Sequence, residues 1–503
     1  MRPRPDPSTF ASLYDAGRPQ VVWTSLVSDL DTPVSAMIKL ADGQPNSFLF
    51  ESVTGGEVRG RYSFIGLKPD MIWRCRNGRV EVNRQVRAGR EAFEACTAAP
   101  LQSLRAIIAE SRIELPPELP PMAAGLFGYL GYDMVRLIER LPDGLPDTLD
   151  IPDAILIRPT IVAVFDGITN LITLVTPVWP RSGLSAEAAY DHAAGRLADA
   201  VADLGRSAPR PGAPALADAA TLPPPSSNTT AAEYHAIVER AKEYIRAGDV
   251  FQVVPSQRFT LPFRLPAFSL YRALRRLNPS PFLFFLDLGD LSLVGSSPEI
   301  LVRLRDGTVT IRPIAGTRRR GATAEEDRVL AADLLADPKE LAEHLMLLDL
   351  GRNDVGRVSK VGSVRVTEQM AVEYYSHVMH IVSNVEGELS PGHDALDALF
   401  AGFPAGTVSG APKVRAMEII DELEKARRGV YGGCIGYFGA SGAMDTCIAL
   451  RTAVLKDGSM HVQAGGGVVA DSEPEAEYQE TVNKAKALIR AAEEAVRFAS
   501  DRS

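Results

Sequence analysis

The chain has 503 residues, of which 46% are hydrophobic and 23% charged, and its formal net charge at pH 7 is -9. This composition predicts a globular protein with material for two or more hydrophobic cores, and it excludes a disordered tail or a coiled coil. The acidic balance argues against a nucleic-acid or anionic-membrane partner, since both require a basic surface.

The four cysteines show neither CxxC spacing nor a neighbouring histidine pattern, so we expect no zinc site and no disulfide framework. The N-terminal sequence MRPRPDPSTF lacks the apolar core of a signal peptide, and no apolar run approaches the ~18 residues needed to span a bilayer. Together these features predict a cytoplasmic protein.

Two domains and a linker are expected along the chain. Residues 1–205 alternate β-like runs, such as SFLFES, YSFIGL and TIVAVFD, with helical stretches, and predict an α+β domain. Residues 206–228 are rich in proline and alanine and predict a linker. Residues 229–503 then form the second domain, which opens with a helix capped by Thr230 with Glu233 as its capping-box partner.

Several residues early in the second domain have side chains suited to chemistry. Gln252 lies on a β-run, and Glu299 follows a turn in SLVGSSPEILV, where a partly desolvated carboxyl could donate a proton. The basic loop RPIAGTRRRG either neutralises an anionic ligand or is a solvated charge cluster. His377 and His380 lie three apart on a β-run, so only one of them can face a cleft.

Two glutamate pairs at helical spacing are the most informative feature of the second domain. Glu340 and Glu343 form one pair, and Glu477 and Glu480 form the other. Carboxylates three residues apart share a helix face, and oxygen-only ligands favour Mg²⁺. One such pair is more typical of a solvated helix surface, but a fold that faces the two helices would create a magnesium site for an anionic substrate.

Two glycine-containing segments follow in the second domain. FPAGTVSGAPKVRAMEII leads into a helix, but it lacks the GxxxxGK[ST] pattern of a nucleotide-binding loop, so we discount ATP. Gly465, Gly466 and Gly467 lie between a strand and the second acidic helix, where they either form a flexible hairpin or bring backbone N–H groups close to a ligand. Arg451 could add bidentate recognition of a carboxylate.

The motifs PSQRF, SSPEILV, RPIAGTRRRG, EHLMLLDLGRND, VMHIVS, FPAGTVSGAPKVRAMEII, GCIGYFG, DTCIALRTA and AGGGVVADSEPEAEYQET occur in one order. With them the chain resembles the chorismate-utilising enzymes over most of its length, and in particular the branch that forms anthranilate. The resemblance implies an α+β fold in which antiparallel sheets pack as a sandwich with helices outside.

The resemblance also implies roles for individual residues. It makes Glu343 and Glu480 the Mg²⁺ ligands, with Glu340 and Glu477 nearby, Glu299 the general acid for the departing 4-hydroxyl, and His380 the histidine of pyruvate loss. It assigns chorismate binding to Thr407, Tyr431, Arg451, Gly465, Gly466, Gly467 and Lys484. The implied reaction adds ammonia at C2 of chorismate and passes through 2-amino-2-deoxyisochorismate to anthranilate and pyruvate.

Two positions separate this branch from its relatives. Family members that add water at C2 typically carry lysine where this chain has Gln252, because water needs a base and ammonia does not. Members that form 4-amino-4-deoxychorismate typically read PIKGT, whereas this chain has Ala315. Aminodeoxychorismate synthesis remains the alternative activity, and a non-catalytic subunit that binds chorismate or tryptophan is the alternative of another class.

The resemblance implies two further ligands or partners. FLFES resembles a tryptophan-binding element, although taken alone it is more typical of a core strand that ends in a polar turn. The implied inhibitor site comprises Glu51, Ser52, Asn278, Pro279, Ser280, Pro281 and Phe282. Ammonia would come from a separate glutamine amidotransferase subunit, since no cysteine here has a nucleophile-elbow context, and we expect a hetero-oligomer.

Overall fold

The computed structural model describes residues 2–54, 58–86, 92–207, 222–375 and 378–500. The α-helices in these ranges are α1 (Pro7–Asp15), α2 (Pro33–Ala41), α3 (Pro100–Glu110), α4 (Ala186–Gly205), α5 (Ala231–Ala247), α6 (Ala267–Leu277), α7 (Ala324–Ala336), α8 (Pro338–Gly356), α9 (Ala395–Gly402), α10 (Lys413–Leu423) and α11 (Pro474–Ser500). Short 3₁₀ turns span Pro121–Ala123, Tyr132–Leu137 and Gly406–Val408.

The strands before the predicted linker are β1 (Gln20–Val27), β2 (Ser47–Thr54), β3 (Val58–Arg76), β4 (Arg79–Asn83), β5 (Phe93–Cys96), β6 (Gly125–Leu130), β7 (Ala154–Asp166) and β8 (Leu171–Val178). Those that follow are β9 (Ser226–Ser227), β10 (Gln252–Val253), β11 (Ser256–Pro262), β12 (Phe282–Asp287), β13 (Ser292–Ser297), β14 (Ile300–Arg305), β15 (Thr308–Ile311), β16 (Ile314–Arg319), β17 (Arg365–Tyr374), β18 (Val378–Glu388), β19 (Gly410–Ala411), β20 (Cys434–Gly439), β21 (Met444–Ile448), β22 (Thr452–Lys456) and β23 (Ser459–Gly465).

Strands from the two ends of the chain pair directly with one another. β2 lies antiparallel between β3 and β12, with Phe50 opposite both Phe64 and Phe284. β20 pairs antiparallel with β6 and β21. The predicted α+β class with antiparallel sheets is confirmed. Residues 208–221 of the predicted linker lie outside the described residues, and the domain boundaries stay a prediction.

Local sequence signals set the ends of the helices that carry the candidate site residues. The predicted capping box of α5 is confirmed, because the Thr230 side chain accepts from the Glu233 backbone N–H and the Glu233 side chain accepts from the Thr230 backbone N–H. α8 begins after Asp337, whose carboxylate accepts from the backbone N–H groups of Lys339 and Glu340. α8 packs on β16 and β18, and α11 packs on α5, α6 and β23.

An aromatic cluster fills the space between the strands that join the two ends of the chain. Phe48 is fully buried, and its ring stacks on that of Phe127 with a centroid distance of 4.6 Å. A Cβ atom on Gly66 would lie 2.2 Å from the Phe48 ring, so this strand position has no room for a side chain.

None of the helices in the described ranges has the length and apolar character needed to span a bilayer.

Replacing Phe48 with alanine should lower the free energy of unfolding by about 3–5 kcal/mol, because the cavity left between the strands cannot fully collapse. The same substitution at Phe251, whose side chain is 72% exposed, should leave the apparent melting temperature nearly unchanged. Differential scanning calorimetry of both variants measures the effect. Equal losses at the two positions would contradict the placement of Phe48 in the core.

Candidate active site

A cavity of about 790 Å³ lies where α8, α11, β16, β18 and the segment 278–281 approach one another. It collects residues that lie more than 200 positions apart in the sequence. Its walls include, among the residues predicted from sequence, Gln252, Asn278, Pro279, Ser280, Pro281, Glu340, Glu343, His380, Thr407, Arg451, Gly467, Glu480 and Lys484. Five other residues predicted for the same site do not line this cavity: Glu299, Tyr431, Gly465, Gly466 and Glu477.

Glu299 is a buried carboxyl held at the edge of the cavity by Thr407. The Thr407 Oγ1 donates a hydrogen bond to Glu299 Oε1 at 2.9 Å. Burial raises the pKa of Glu299 from 4.5 to about 8, even though the hydrogen bonds from Thr407 and from the Ile314 backbone act in the opposite direction. Glu299 is therefore mostly protonated at neutral pH and can act as a proton donor.

His380 has a fixed orientation and a defined tautomer. Its Nδ1 lies 2.9 Å from the carbonyl oxygen of Gly316, which can only accept, so Nδ1 carries the hydrogen. Burial and the nearby Arg451 lower the pKa of His380, although the Gly316 hydrogen bond opposes this. The ring is therefore neutral at pH 7 with a lone pair on Nε2, as a general base requires. His377 lies outside the described residues.

Three of the four predicted metal-site carboxylates line the cavity. Burial raises the pKa of Glu343, and the charges of Glu340 and Glu480 raise it further. Gathering like charges in this way is unfavourable without a cation, and carboxylate oxygens are the donors that Mg²⁺ prefers. Lys484 supplies one positive charge, since its Nζ lies 2.7 Å from Glu480 Oε1.

The fourth carboxylate, that of Glu477, does not line the cavity. Glu477 Oε1 accepts a hydrogen bond from Ser472 Oγ at 2.7 Å. Glu340 Oε1 lies 3.2 Å from Arg318 Nη1, so it is also partly engaged. In the part of the chain that the structure describes, no three His, Cys, Asp or Glu side chains come close enough together to hold a metal ion. The fit to Mg²⁺ therefore rests on the type of donor alone, since Glu343 and Glu480 both present carboxylate oxygens to the cavity.

The glycine triplet is closely packed, most strictly at Gly465, where the nearest atom belongs to the backbone, and this packing argues against the flexible-hairpin interpretation. A Cβ on Gly467 would lie 2.5 Å from Gln252 Nε2, and one on Gly466 would lie 3.0 Å from Glu477 Oε2. A Cβ on Gly465 would lie 2.7 Å from the Pro255 carbonyl oxygen. Gln252 in turn donates from Nε2 to Glu343 Oε1 at 3.4 Å, so the triplet keeps the amide in place against a carboxylate of the cavity.

Arg451 presents a partly buried positive charge to the cavity. Its backbone lies in the left-handed region, with φ at 45°, and desolvation lowers the pKa of its guanidinium. Among the described residues, no carboxylate forms an ion pair with the Arg451 side chain. A partly buried guanidinium without an anionic partner among these residues is suited to bind a carboxylate of a ligand.

A second cavity, of about 520 Å³, lies beside the first and contains the rest of the predicted inhibitor site. Glu51, Ser52, Pro281 and Phe282 line it, whereas Asn278, Pro279 and Ser280 face the first cavity. The Glu51 carboxylate accepts from Arg275 Nε at 2.6 Å and also from the Tyr271 hydroxyl. Four residues line both cavities: Pro281, Pro298, Ile314 and Tyr375.

Sequence reasoning missed several residues of the first cavity, including Gly316, Thr317, Tyr375 and Asn483. Gly316 and Thr317 belong to RPIAGTRRRG, where the arginines drew attention instead. Those arginines form ion pairs with acidic side chains, as Arg320 does with Asp327 at 2.6 Å. The loop therefore lines the cavity with Gly316 and Thr317. No pattern in the sequence had marked these two residues as more important than the arginines beside them.

Comparisons with known proteins identify the family of this chain. The profile of a family described as chorismate binding enzyme matches residues 47–490. Anthranilate synthase component 1 of Cereibacter sphaeroides is 63% identical over 491 residues, which is 98% of each chain. Its counterpart from Pseudomonas putida is 50% identical over 470 residues, covering 92% of this chain and 93% of the other. The chain belongs to the chorismate binding enzyme family.

Solved structures show the same fold. The crystal structure of anthranilate synthase component I from Streptococcus pneumoniae matches with a TM-score of 0.74 at 38% identity, covering 92% of this chain and 98% of that one. The menaquinone-specific isochorismate synthase from Escherichia coli matches with a TM-score of 0.68 at 21% identity, covering 97% of this chain and all of the other. The second match extends the fold likeness to an enzyme that is named for another product.

Replacing Glu299 with glutamine should make stability less dependent on pH. Because the pKa is raised in the native state, the native carboxyl binds more protons than the unfolded one between pH 4.5 and about 8. The stability that it contributes is present below pH 4.5 and is lost as the pH rises to about 8. The melting temperature of Glu299→Gln should therefore rise relative to wild type between pH 5 and pH 8. The exposed Glu118→Gln is the control, and parallel curves for Glu299→Gln and wild type would contradict the raised pKa.

Proposed function

We propose that this chain is the chorismate-aminating component of an anthranilate synthase, which converts chorismate and ammonia into anthranilate, pyruvate and water in the first committed step of tryptophan biosynthesis. The observation that carries the proposal is the guanidinium of Arg451, which lacks an anionic partner among the described residues, in a cavity lined by His380 and by Thr407, whose hydroxyl donates to Glu299. The names of the relatives and the family membership support the same activity.

The residue chemistry divides the reaction into two steps. Arg451 holds a carboxylate of chorismate, while Glu299, protonated at neutral pH, transfers its proton to the departing 4-hydroxyl. Ammonia adds at C2 and gives 2-amino-2-deoxyisochorismate. His380 Nε2 then removes the C2 proton, the enolpyruvyl group leaves as pyruvate, and the ring becomes aromatic. Thr407 lies at the cavity wall and holds the Glu299 carboxyl beside it in the first step.

Magnesium fits the carboxylate face of the cavity. Glu343 and Glu480 would hold Mg²⁺ with Glu340 nearby, whereas Glu477 accepts a hydrogen bond from Ser472 and does not line the cavity. When bound, Mg²⁺ would supply positive charge that offsets these carboxylates and attracts an anionic substrate. Lys484, which donates to the Gly465 carbonyl oxygen at 2.9 Å, adds a second positive charge beside Glu480, and the Tyr431 hydroxyl lies close to Gly465.

Two cavity residues favour ammonia addition at C2 over the chemistry of related enzymes. The amide of Gln252 lines the cavity and has no basic nitrogen to activate water, so hydration is disfavoured. Ala315 also lines the cavity and cannot provide the amine that the aminodeoxychorismate branch typically has at this position. Both residues support anthranilate as the product.

A glutamine amidotransferase subunit is the proposed source of ammonia and would make the working enzyme a hetero-oligomer. The relatives are named as component 1 of their enzymes, which implies a second component. All four cysteines of this chain are unpaired, as expected for a protein of the reducing cytoplasm. The proposed interaction predicts that glutamine replaces ammonium salts only when the partner is present.

The first test uses the purified chain with chorismate, Mg²⁺ and an ammonium salt at pH 8. We expect anthranilate fluorescence that disappears when EDTA removes the metal. Glu299→Gln should lower kcat by about 10²–10⁴ with a smaller effect on KM, because the acid acts in the transition state. Product chromatography identifies what forms. Aminodeoxychorismate or isochorismate as the product, or no turnover of chorismate, would contradict the proposed function.

Tryptophan is the proposed feedback inhibitor, and the second cavity is its proposed site. Phe282→Ala removes part of the apolar wall and should weaken tryptophan binding at least tenfold by isothermal titration calorimetry. Arg451→Met, in the first cavity, should abolish activity and leave tryptophan binding within twofold of wild type. The opposite pattern would place the inhibitor in the first cavity and contradict the proposed site.

A further inference from the structure

A buried ion pair lies directly behind the first cavity. Arg428 is only 2% exposed, and its Nη2 lies 2.6 Å from Glu424 Oε1. Its Nε also donates to both Glu424 oxygens, at 3.2 and 3.1 Å. The guanidinium packs against the Tyr132 and Tyr431 rings, with its Cζ 4.8 and 5.5 Å from their centroids. Neither charged residue lines the cavity.

The guanidinium holds together two backbone segments that carry site residues. Arg428 Nη1 donates to the carbonyl oxygen of Val408 at 2.5 Å, and Nη2 donates to that of Val254 at 2.6 Å. Val408 directly follows Thr407, which holds the Glu299 carboxyl. Val254 lines the cavity two residues after Gln252. One planar group therefore sets the distance between these two segments.

Glu424 extends the same network to the glycine triplet. Its Oε1 accepts from both the backbone N–H and the hydroxyl of Ser256, each at 2.8 Å. Ser256 lies opposite Gly465 in the β11–β23 pairing, and its hydroxyl also accepts from Gln463 Nε2 at 2.8 Å. The ion pair thus connects the start of β11 and the end of β23 to the Thr407 turn.

Stability alone is a weak reason to bury such a pair. Taking two charges out of water carries a large desolvation penalty, and well-packed apolar residues of similar volume are often equally stable. An apolar pair cannot donate to the carbonyl oxygens of Val408 and Val254. The planar guanidinium of Arg428 donates to both oxygens at once, and a lysine ammonium could not reproduce that geometry.

We propose that Arg428 and Glu424 form a positioning pair, which sets the spacing of Gln252, the Thr407 turn and the glycine triplet for the amination of chorismate. The proposal rests on the proposed function of the cavity. A misplacement of about 1 Å can reduce a rate about 10²-fold. Loss of the Arg428 guanidinium should therefore lower kcat more than it weakens substrate binding. Arg428 and Glu424 act through other residues and do not contact the substrate.

The adjacent arginine provides a matched control. Arg427 is partly buried in the same segment, where its Nη2 pairs with the exposed Asp143 at 2.5 Å and its Nη1 donates to Asn77 rather than to a residue of the cavity. Arg428→Lys should lower kcat for anthranilate formation at least 100-fold while KM for chorismate changes less than about threefold. Arg427→Lys should leave both constants within twofold of wild type. Tryptophan binding should be unchanged in both variants.

A double variant separates positioning from stability. Arg428→Met alone leaves the Glu424 charge buried without its partner, so its melting temperature should fall. Arg428→Met combined with Glu424→Leu removes both charges and should recover the melting temperature, while kcat stays at least 100-fold below wild type. Recovery of kcat together with melting temperature would overturn the positioning role. If Arg428→Met does not fold, the lysine and double variants still decide the question.

Wild-type protein assayed in parallel distinguishes the two proposals. Wild type that forms no anthranilate overturns the proposed function and the positioning role together. Active wild type beside fully active Arg428→Lys overturns the positioning role alone. Active wild type beside an Arg428→Lys that loses kcat and keeps both KM and tryptophan binding supports it.

Discussion

The need to hold opposite charges in one sheltered cavity is the constraint on which the rest of the site depends. Three carboxylates enter from α8 and α11, and the Arg451 guanidinium enters from the segment after β21. Burial and the charges of Glu340 and Glu480 raise the pKa of Glu343, and the guanidinium forms no ion pair with a carboxylate among the described residues. These charges are complementary to a cation and an anionic ligand taken together.

The position of Glu299 shows how the surroundings of a residue decide its chemistry. Glu343 and Glu299 are both buried carboxyls, yet Glu343 lies beside other acids and an amide, whereas Glu299 lies beside a hydroxyl and apolar strands. The first environment suits a metal ligand and the second suits a proton donor. His380 is the second proposed proton-transferring group, because the Gly316 carbonyl fixes its tautomer with a lone pair on Nε2.

The two cavities are separate, but they share part of their walls. The segment 278–282 faces the first cavity with its early residues and the second cavity with Phe282, and Pro281 and Tyr375 contribute to both. A ligand that moves the shared wall from one side changes the shape of the other cavity. This arrangement gives the proposed inhibitor a direct physical route to the active site, since packed walls transmit displacement.

The sequence by itself determined the α+β class, the capped start of α5 and the family to which the chain belongs, because helical spacing, caps and ordered motifs are local signals. It also identified Glu343, Glu480, Arg451 and His380 as candidates. Only the tertiary structure decided that Glu477 turns to Ser472, that Gly316 and Thr317 face the cavity, and that Arg428 bridges two distant segments. These facts depend on contacts between residues far apart in the chain, whose distances and burial no local pattern encodes.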